Sequence, residues 1–285
     1  MFRKLLKYDL KYVWRIWWIM AVSVLGLSVV GSAVLRYVIT SMMADDVTFF
    51  TIMSFFFLFI CFMAIIFSLV FTEIMIFVRF YKHFFTDEGY LTFTLPVSRK
   101  SLLMSKTLSG LIWIWANVIL IVICVMIFML ISPPAEAGKF FINPVAYKWL
   151  GGVIANAWSA VGAWLIVYVV IAIVLISLMF LFTLSMIQFC ITIGAIIAKK
   201  LKVLAAIGIY YLINMGISFV VTFFGGIGTG MLIDGFAYKM AQVSTNQACF
   251  IVALLLIVIC AIVAAVACIF ECATIGKLER KLNLA

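Results

Sequence analysis

Residues 149–198, fifty in a row, carry no charge at all. A soluble domain spends roughly a quarter of its residues on charge, so a run of this length has no place on a water-facing surface. Two further stretches, 203–233 and 240–270, are equally uncharged. Over the full 285 residues, 68% are hydrophobic and 11% charged. A larger core cannot absorb that excess, because a soluble fold must still clothe its outside in polar groups. Lipid must be the solvent for most of the surface, which excludes a secreted enzyme, a nucleic-acid-binding domain and a disordered tail. The expectation is an all-α integral membrane protein forming a single domain over 1–285.

A helix needs about 20 apolar residues to cross a bilayer. The runs that qualify are 16–35, 47–72 (continuing past Glu73 to residue 78), 107–131, one within 149–198, 203–233 and 240–270. That makes six spans. Fifty uncharged residues could hold two crossings, but a hairpin needs a turn marked by Gly, Pro or Asn, and residues 163–193 contain none. Gly151, Gly152, Asn156 and Gly162 all lie upstream. The reading is therefore an interfacial or re-entrant segment at about 144–157, then one long span over about 158–190.

The basic residues set the direction. With the N-terminus inside, segments 1–15, 79–106, 199–202 and 273–285 face the cytoplasm and hold 16 of the 20 Lys and Arg residues. Cytoplasmic loops collect Lys and Arg, and a seventh span would move Lys199, Lys200 and Lys202 to the wrong side. Both termini are thus expected in the cytoplasm, and the net charge of +10 reads as topology, with no nucleic-acid partner implied. From the start of the chain, Phe2, Leu5, Leu6, Leu10, Val13, Trp14 and Trp17 recur at three- and four-residue steps, with Lys4, Lys7, Lys11 and Arg15 on the other face. This pattern suits an in-plane interfacial helix. Fifteen long, aromatic residues are unlike the short basic start of a cleaved signal, so an uncleaved anchor is expected.

The inventory of reactive groups is thin. The seven cysteines (Cys61, Cys124, Cys190, Cys249, Cys260, Cys268, Cys272) lie in apolar runs without a Cys-x-x-Cys pair. Cys268 and Cys272 share a helix face and read as small packing residues. The single histidine, His83, reads as a solvated loop residue. Neither Gly138-Lys139 nor Gly276-Lys277 has the flanking residues of a phosphate-binding loop. Any ATP use therefore needs another chain, and no catalytic residue, metal or bound cofactor is expected here. Two acids, Glu73 and Glu271, stand inside apolar runs, each six residues before a cation, roughly 9 Å from the rim at about 1.5 Å per residue. Proton pathways favour acids deeper in the membrane. A structural role is the stronger reading, the acids meeting basic groups such as Arg15 or Lys106.

Segment 79–106 is the most polar and the most patterned on the cytoplasmic side. Breakers fall at Asp87-Glu88-Gly89 and at Pro96, enclosing the apolar element Tyr90-Leu91-Thr92-Phe93-Thr94-Leu95. Ser98 is placed to N-cap a helix running into the third span. An apolar element displayed on a cytoplasmic face suits docking of another protein. The stretch Glu88-Gly89-Tyr90-Leu91-x-x-x-Leu95-Pro96-Val97-Ser98-Arg99-x-x-Leu102-Leu103-x-x-Lys106 resembles the loop after the second span in type-2 ABC exporter permeases. Tyr90 and Ser105 depart from the usual Thr and Gly there, and the variant resembles permeases of Gram-positive bacteria.

The resemblance covers essentially the whole chain: six spans, an in-plane N-terminal helix, and a coupling helix between spans two and three. It implies that Glu88, Gly89, Tyr90, Leu91, Phe93, Leu95, Pro96, Ser98 and Arg99 dock on a separate ATP-binding subunit, which would use ATP and Mg. It implies a second permease copy or paralogue as partner and a bacterial cell membrane as location. Cargo would be hydrophobic or amphipathic: a peptide, an antibiotic or a lipid. The family also carries a re-entrant element between spans five and six. Here 225–247, opening on Gly225-Gly226-Ile227-Gly228-Thr229-Gly230, is either that element or a flexible outer loop. Two rivals stay open: an ion-coupled secondary carrier working through Glu73 and Glu271, and a non-transporting sensor or scaffold that binds an ATPase.

Overall fold

The structure, a computed structural model, describes residues 2–44, 48–86, 89, 97–131, 144–198, 201–241 and 244–281. Among these residues the chain is helical, as α1 (Phe2–Met43), α2 (Phe49–Phe85), α3 (Arg99–Ile131), α4 (Pro144–Val161), α5 (Trp164–Ile197), α6 (Lys202–Ala241) and α7 (Thr245–Lys281). All but α4 hold a stretch long and apolar enough to cross a membrane. The fold is that of a multi-pass, all-helical membrane protein.

Helix ends follow the local chemistry. Ser98 caps α3 as expected: its Oγ accepts the Ser101 amide at 3.3 Å, and its carbonyl accepts the Leu102 amide at 3.1 Å. Gly162 ends α4 in the left-handed region (φ +58°), donating its amide to the Trp158 carbonyl at 2.7 Å, the glycine-terminated C-cap geometry. The break between α4 and α5 therefore falls at Gly162, a few residues beyond the expected position, and α5 crosses the breaker-free stretch as one helix. At its far end Ala198 turns extended (φ −103°, ψ 118°).

Two expectations change. Residues 1–15 are no separate element: α1 runs unbroken for 42 residues, about 63 Å at 1.5 Å per residue, with neither Gly nor Pro before Gly26. The expected loop with backbone reversal at 225–241 is also absent, since α6 stays helical through Ala241. Each glycine costs about 1 kcal/mol in a helix, yet an apolar medium makes every broken backbone hydrogen bond dearer than that. No proline is present to force the break.

Packing gathers into two compact units, Met1–Val78 with Leu108–Asn156 and Arg79–Thr107 with Ala157–Ala285. In the first unit each helix buries a narrow stripe: Val13, Trp17, Ala21, Val24, Ser28 and Ser32 on α1, Cys61, Ser68, Thr72 and Ile76 on α2, and Ser109, Trp113, Asn117, Leu120 and Cys124 on α3. Small and hydroxylated residues share these stripes with a few large apolar ones, while many Phe, Ile and Val side chains stay exposed, because lipid gives no penalty for apolar exposure and close packing drives association. The hydroxyls are satisfied within their own helices: Ser28 on the Leu25 carbonyl at 2.8 Å, Ser32 on Val29 at 2.7 Å, Thr72 on Ser68 at 2.8 Å. Trp17 and Trp113 pack with ring centroids 5.3 Å apart. A Cβ on Gly31 would stand 3.0 Å from both Cys61 Sγ and Phe128 Cζ.

In the second unit α5 packs against α6 and α7. Trp164 meets Phe250 at one end (6.3 Å), and Phe182 meets Phe270 further along (5.9 Å). The pairs advance together, so α5 and α7 run parallel and α6 returns between them in sequence, as alternate crossings require. Ile171, Ala253 and Cys260 form a core sealed by Tyr168 and Leu256, and the Tyr168 hydroxyl donates to the Cys249 carbonyl at 2.9 Å.

Candidate functional site

Segment Arg79–Thr107 belongs to the second unit, and its contacts show where. Thr107 Oγ1 donates to Gln188 Oε1 near the end of α5 at 3.2 Å. Arg99 Nη1 donates to the carbonyl of Leu278 in the last turn of α7. Phe80 and Phe84 are fully buried with rings 4.8 Å apart, as are Leu102, Leu103 and Leu278. The start of α3 and the last turns of α5 and α7 thus meet at one end of the unit, where the close approach of Gly194 (α5) to Ala206 (α6) also lies. Described residues of three of the four basic segments assigned to one membrane side share this end.

The local chemistry explains each fixed residue. A helix leaves its last four carbonyls without partners and its C-terminus partially negative. A guanidinium offers donors in a rigid fork, so Arg99 both fills one such carbonyl and neutralises the end of α7. Gly89 donates its amide to the Thr86 carbonyl at 2.8 Å, and a Cβ there would stand 2.9 Å from the Phe84 carbonyl oxygen. Only glycine fits so close to the end of α2. Lys106 is buried between Ser105 and Thr107.

Of the residues singled out in the loop, Gly89, Ser98 and Arg99 are placed in this way. Glu88, Tyr90, Leu91, Phe93, Leu95 and Pro96 lie outside the described residues. The acids do not join them. Glu271 sits on the α5–α7 seam and accepts the Ser185 hydroxyl at 3.4 Å. Glu73 is half-buried in the first unit beside buried Thr72, and no contact joins it to Arg15 among the described residues. Among the described residues no three His, Cys, Asp or Glu side chains gather as a metal site. Cys268 and Cys272 are exposed, where packing residues were expected: their shared face of α7 points away from α5.

Sequence reading passed over Gln188 and Asn117. Amides are rare inside apolar spans and costly without partners, and that rarity was the available signal. Gln188 is 2% exposed and holds Thr107. Asn117 is 1% exposed, and neither its amide nitrogen nor its oxygen has a partner among the described residues. Burying such a group unpaired costs about 1–3 kcal/mol, whereas an apolar replacement of the same shape does not. Asn117→Leu is expected to raise the melting temperature of the purified protein in detergent. A fall of several degrees would show that the amide is engaged. Comparison with models of protein families, with curated proteins and with solved structures finds no match to this chain.

Proposed function

We propose that this chain is the membrane subunit of an ATP-driven type-2 ABC exporter, with segment 79–106 as the docking element for an ATP-binding subunit and a second permease as its partner. The observation that carries the reading is the succession of motif residues from Glu88 to Lys106 in the sequence, within which Arg99 is tied to the end of α7, while the adjoining Thr107 is tied to α5. An element tied to two spans through Arg99 and Thr107 is suited to pass a push from outside the membrane to those spans. The chain itself supplies no ATP site; ATP and Mg belong to the partner. The cytoplasmic placement of both termini, the bacterial cell membrane and an amphipathic cargo belong to this same reading.

The test is co-purification with an ATP-binding-cassette subunit encoded beside this chain. Leu91→Asp, Phe93→Asp and Leu95→Asp each place a charge in the apolar docking element. Loss of an apolar anchor worth about 2 kcal/mol weakens association roughly thirtyfold, so the ATPase should fail to co-purify and lose stimulation by the permease. Variants that fold, keep the complex and keep full stimulation would sink the docking role.

A further inference from the structure

We infer that the groove between α1 and α2 holds one acyl chain of an anionic phospholipid, drawn from the leaflet at the N-terminal end of α1. The groove has a volume of about 490 Å³ and lies wholly within the first unit. Its walls are apolar: Ile16, Ile19, Met20 and Leu27 from α1 face Phe67 and Phe71 from α2. The two serines that border it are already spent on their own helices, Ser23 on the Met20 carbonyl and Ser68 on the Ile65 carbonyl. Nothing in the groove asks for a polar ligand.

Its length and its two ends select the occupant. From Ile16 to Leu27 the helix rises about 17 Å, close to half of a hydrocarbon core roughly 30 Å thick. The deep end closes where Cys61 Sγ meets the Leu27 carbonyl at 3.9 Å and Gly31 brings the helices together. The shallow end of the lining is Ile16, on the same turns of α1 as Trp14 and Trp18, each 52% exposed and stacked at 5.4 Å, which mark the interfacial level. On the turns just outside, Lys11 and Arg15 are exposed, with Arg3, Lys4 and Lys7 exposed beyond them; Asp9, the one acid on these turns of α1, is buried, and Glu73 on α2, two residues past Phe71, is half-buried. Arg15 stands four residues before Ile19 and so borders the groove. A chain one leaflet deep, under a headgroup met by clustered cations, is an anionic glycerophospholipid.

The test uses the full chain in nanodiscs of phosphatidylcholine and phosphatidylglycerol at 3:1, with retained lipid counted by native mass spectrometry. Phosphatidylglycerol should be enriched over the bulk ratio. Each interfacial cation is worth about 1 kcal/mol toward an anionic membrane, or roughly fivefold, so Lys11→Gln with Arg15→Gln should abolish the enrichment. Ala64→Phe, which fills the groove from α2, should abolish it with every charge in place, and Ser23→Phe does the same from α1. Lys277→Gln should leave it intact. Equal retention of the two lipids by the unmodified protein would overturn the inference. So would enrichment that survives both groove-filling variants, or enrichment that falls equally with Lys277→Gln, since either outcome describes a diffuse charge effect.

Discussion

Gly194→Val is expected to disrupt the turn from α5 to α6 and cost about 3 kcal/mol or more, seen as a large fall in melting temperature or loss of the monodisperse peak in detergent. A Cβ at Gly194 would stand 2.6 Å from the Ala206 nitrogen, 2.7 Å from its Cα and 2.8 Å from its Cβ. Overpacking a tight site costs about 1–3 kcal/mol when side chains can give. Here two of the three neighbours are backbone, so the helices themselves must part. The penalty spreads, because α5 also holds Thr107 through Gln188 and Glu271 through Ser185. Gly208→Ala is the control: nothing lies within 4 Å of its added Cβ, and it should be neutral or stabilise by up to about 1 kcal/mol. Equal losses in the two variants would mean that the close approach does not govern the turn.

Arg99→Met should free the last turn of α7 while keeping most of the arginine's apolar stem. Hydrogen bonds to a charged donor contribute about 1.5–3 kcal/mol, and a cation at a helix C-terminus adds up to about 2 kcal/mol when partly buried. Amide hydrogen exchange across 272–281 should rise at least tenfold in Arg99→Met, with exchange in the Trp164–Phe182 part of α5 unchanged. Arg99→Lys should restore part of the protection, since it supplies charge without the fork. Unchanged exchange at the end of α7 in Arg99→Met would remove the basis for treating Arg99 as the tie between the loop and the seventh helix. This readout is independent of any ATPase, so it separates the anchoring of the loop from the docking proposed for it.

How far the sequence could be read depended on the range of each interaction. Ser98 as a cap and the uninterrupted α5 were both legible, because a cap needs only its own next turn and a breaker-free stretch needs no partner. The expected boundary at 15 was not real: a change of surroundings from interface to hydrocarbon does not break a helix that lacks Gly and Pro. The glycines at 225–230 misled for the opposite reason. Glycine permits a reversal without requiring one, and in an apolar medium the helix keeps its hydrogen bonds.

The scarce charges and the uncharged runs, by themselves, determined that the protein is a multi-pass helical membrane protein, with six long apolar helices among the described residues, since burial of the backbone in lipid admits few alternatives. Tertiary structure alone decided which faces pack and what holds the loop. Arg99 and Leu278 lie 179 residues apart, and Gly194 differs from Gly208 only in what stands beside it. In a span where nearly every residue is apolar, hydrophobicity cannot distinguish a lipid-facing side from a packed one. Close approach, a single guanidinium and a few buried hydroxyls and amides make that distinction, and each depends on a partner remote in sequence.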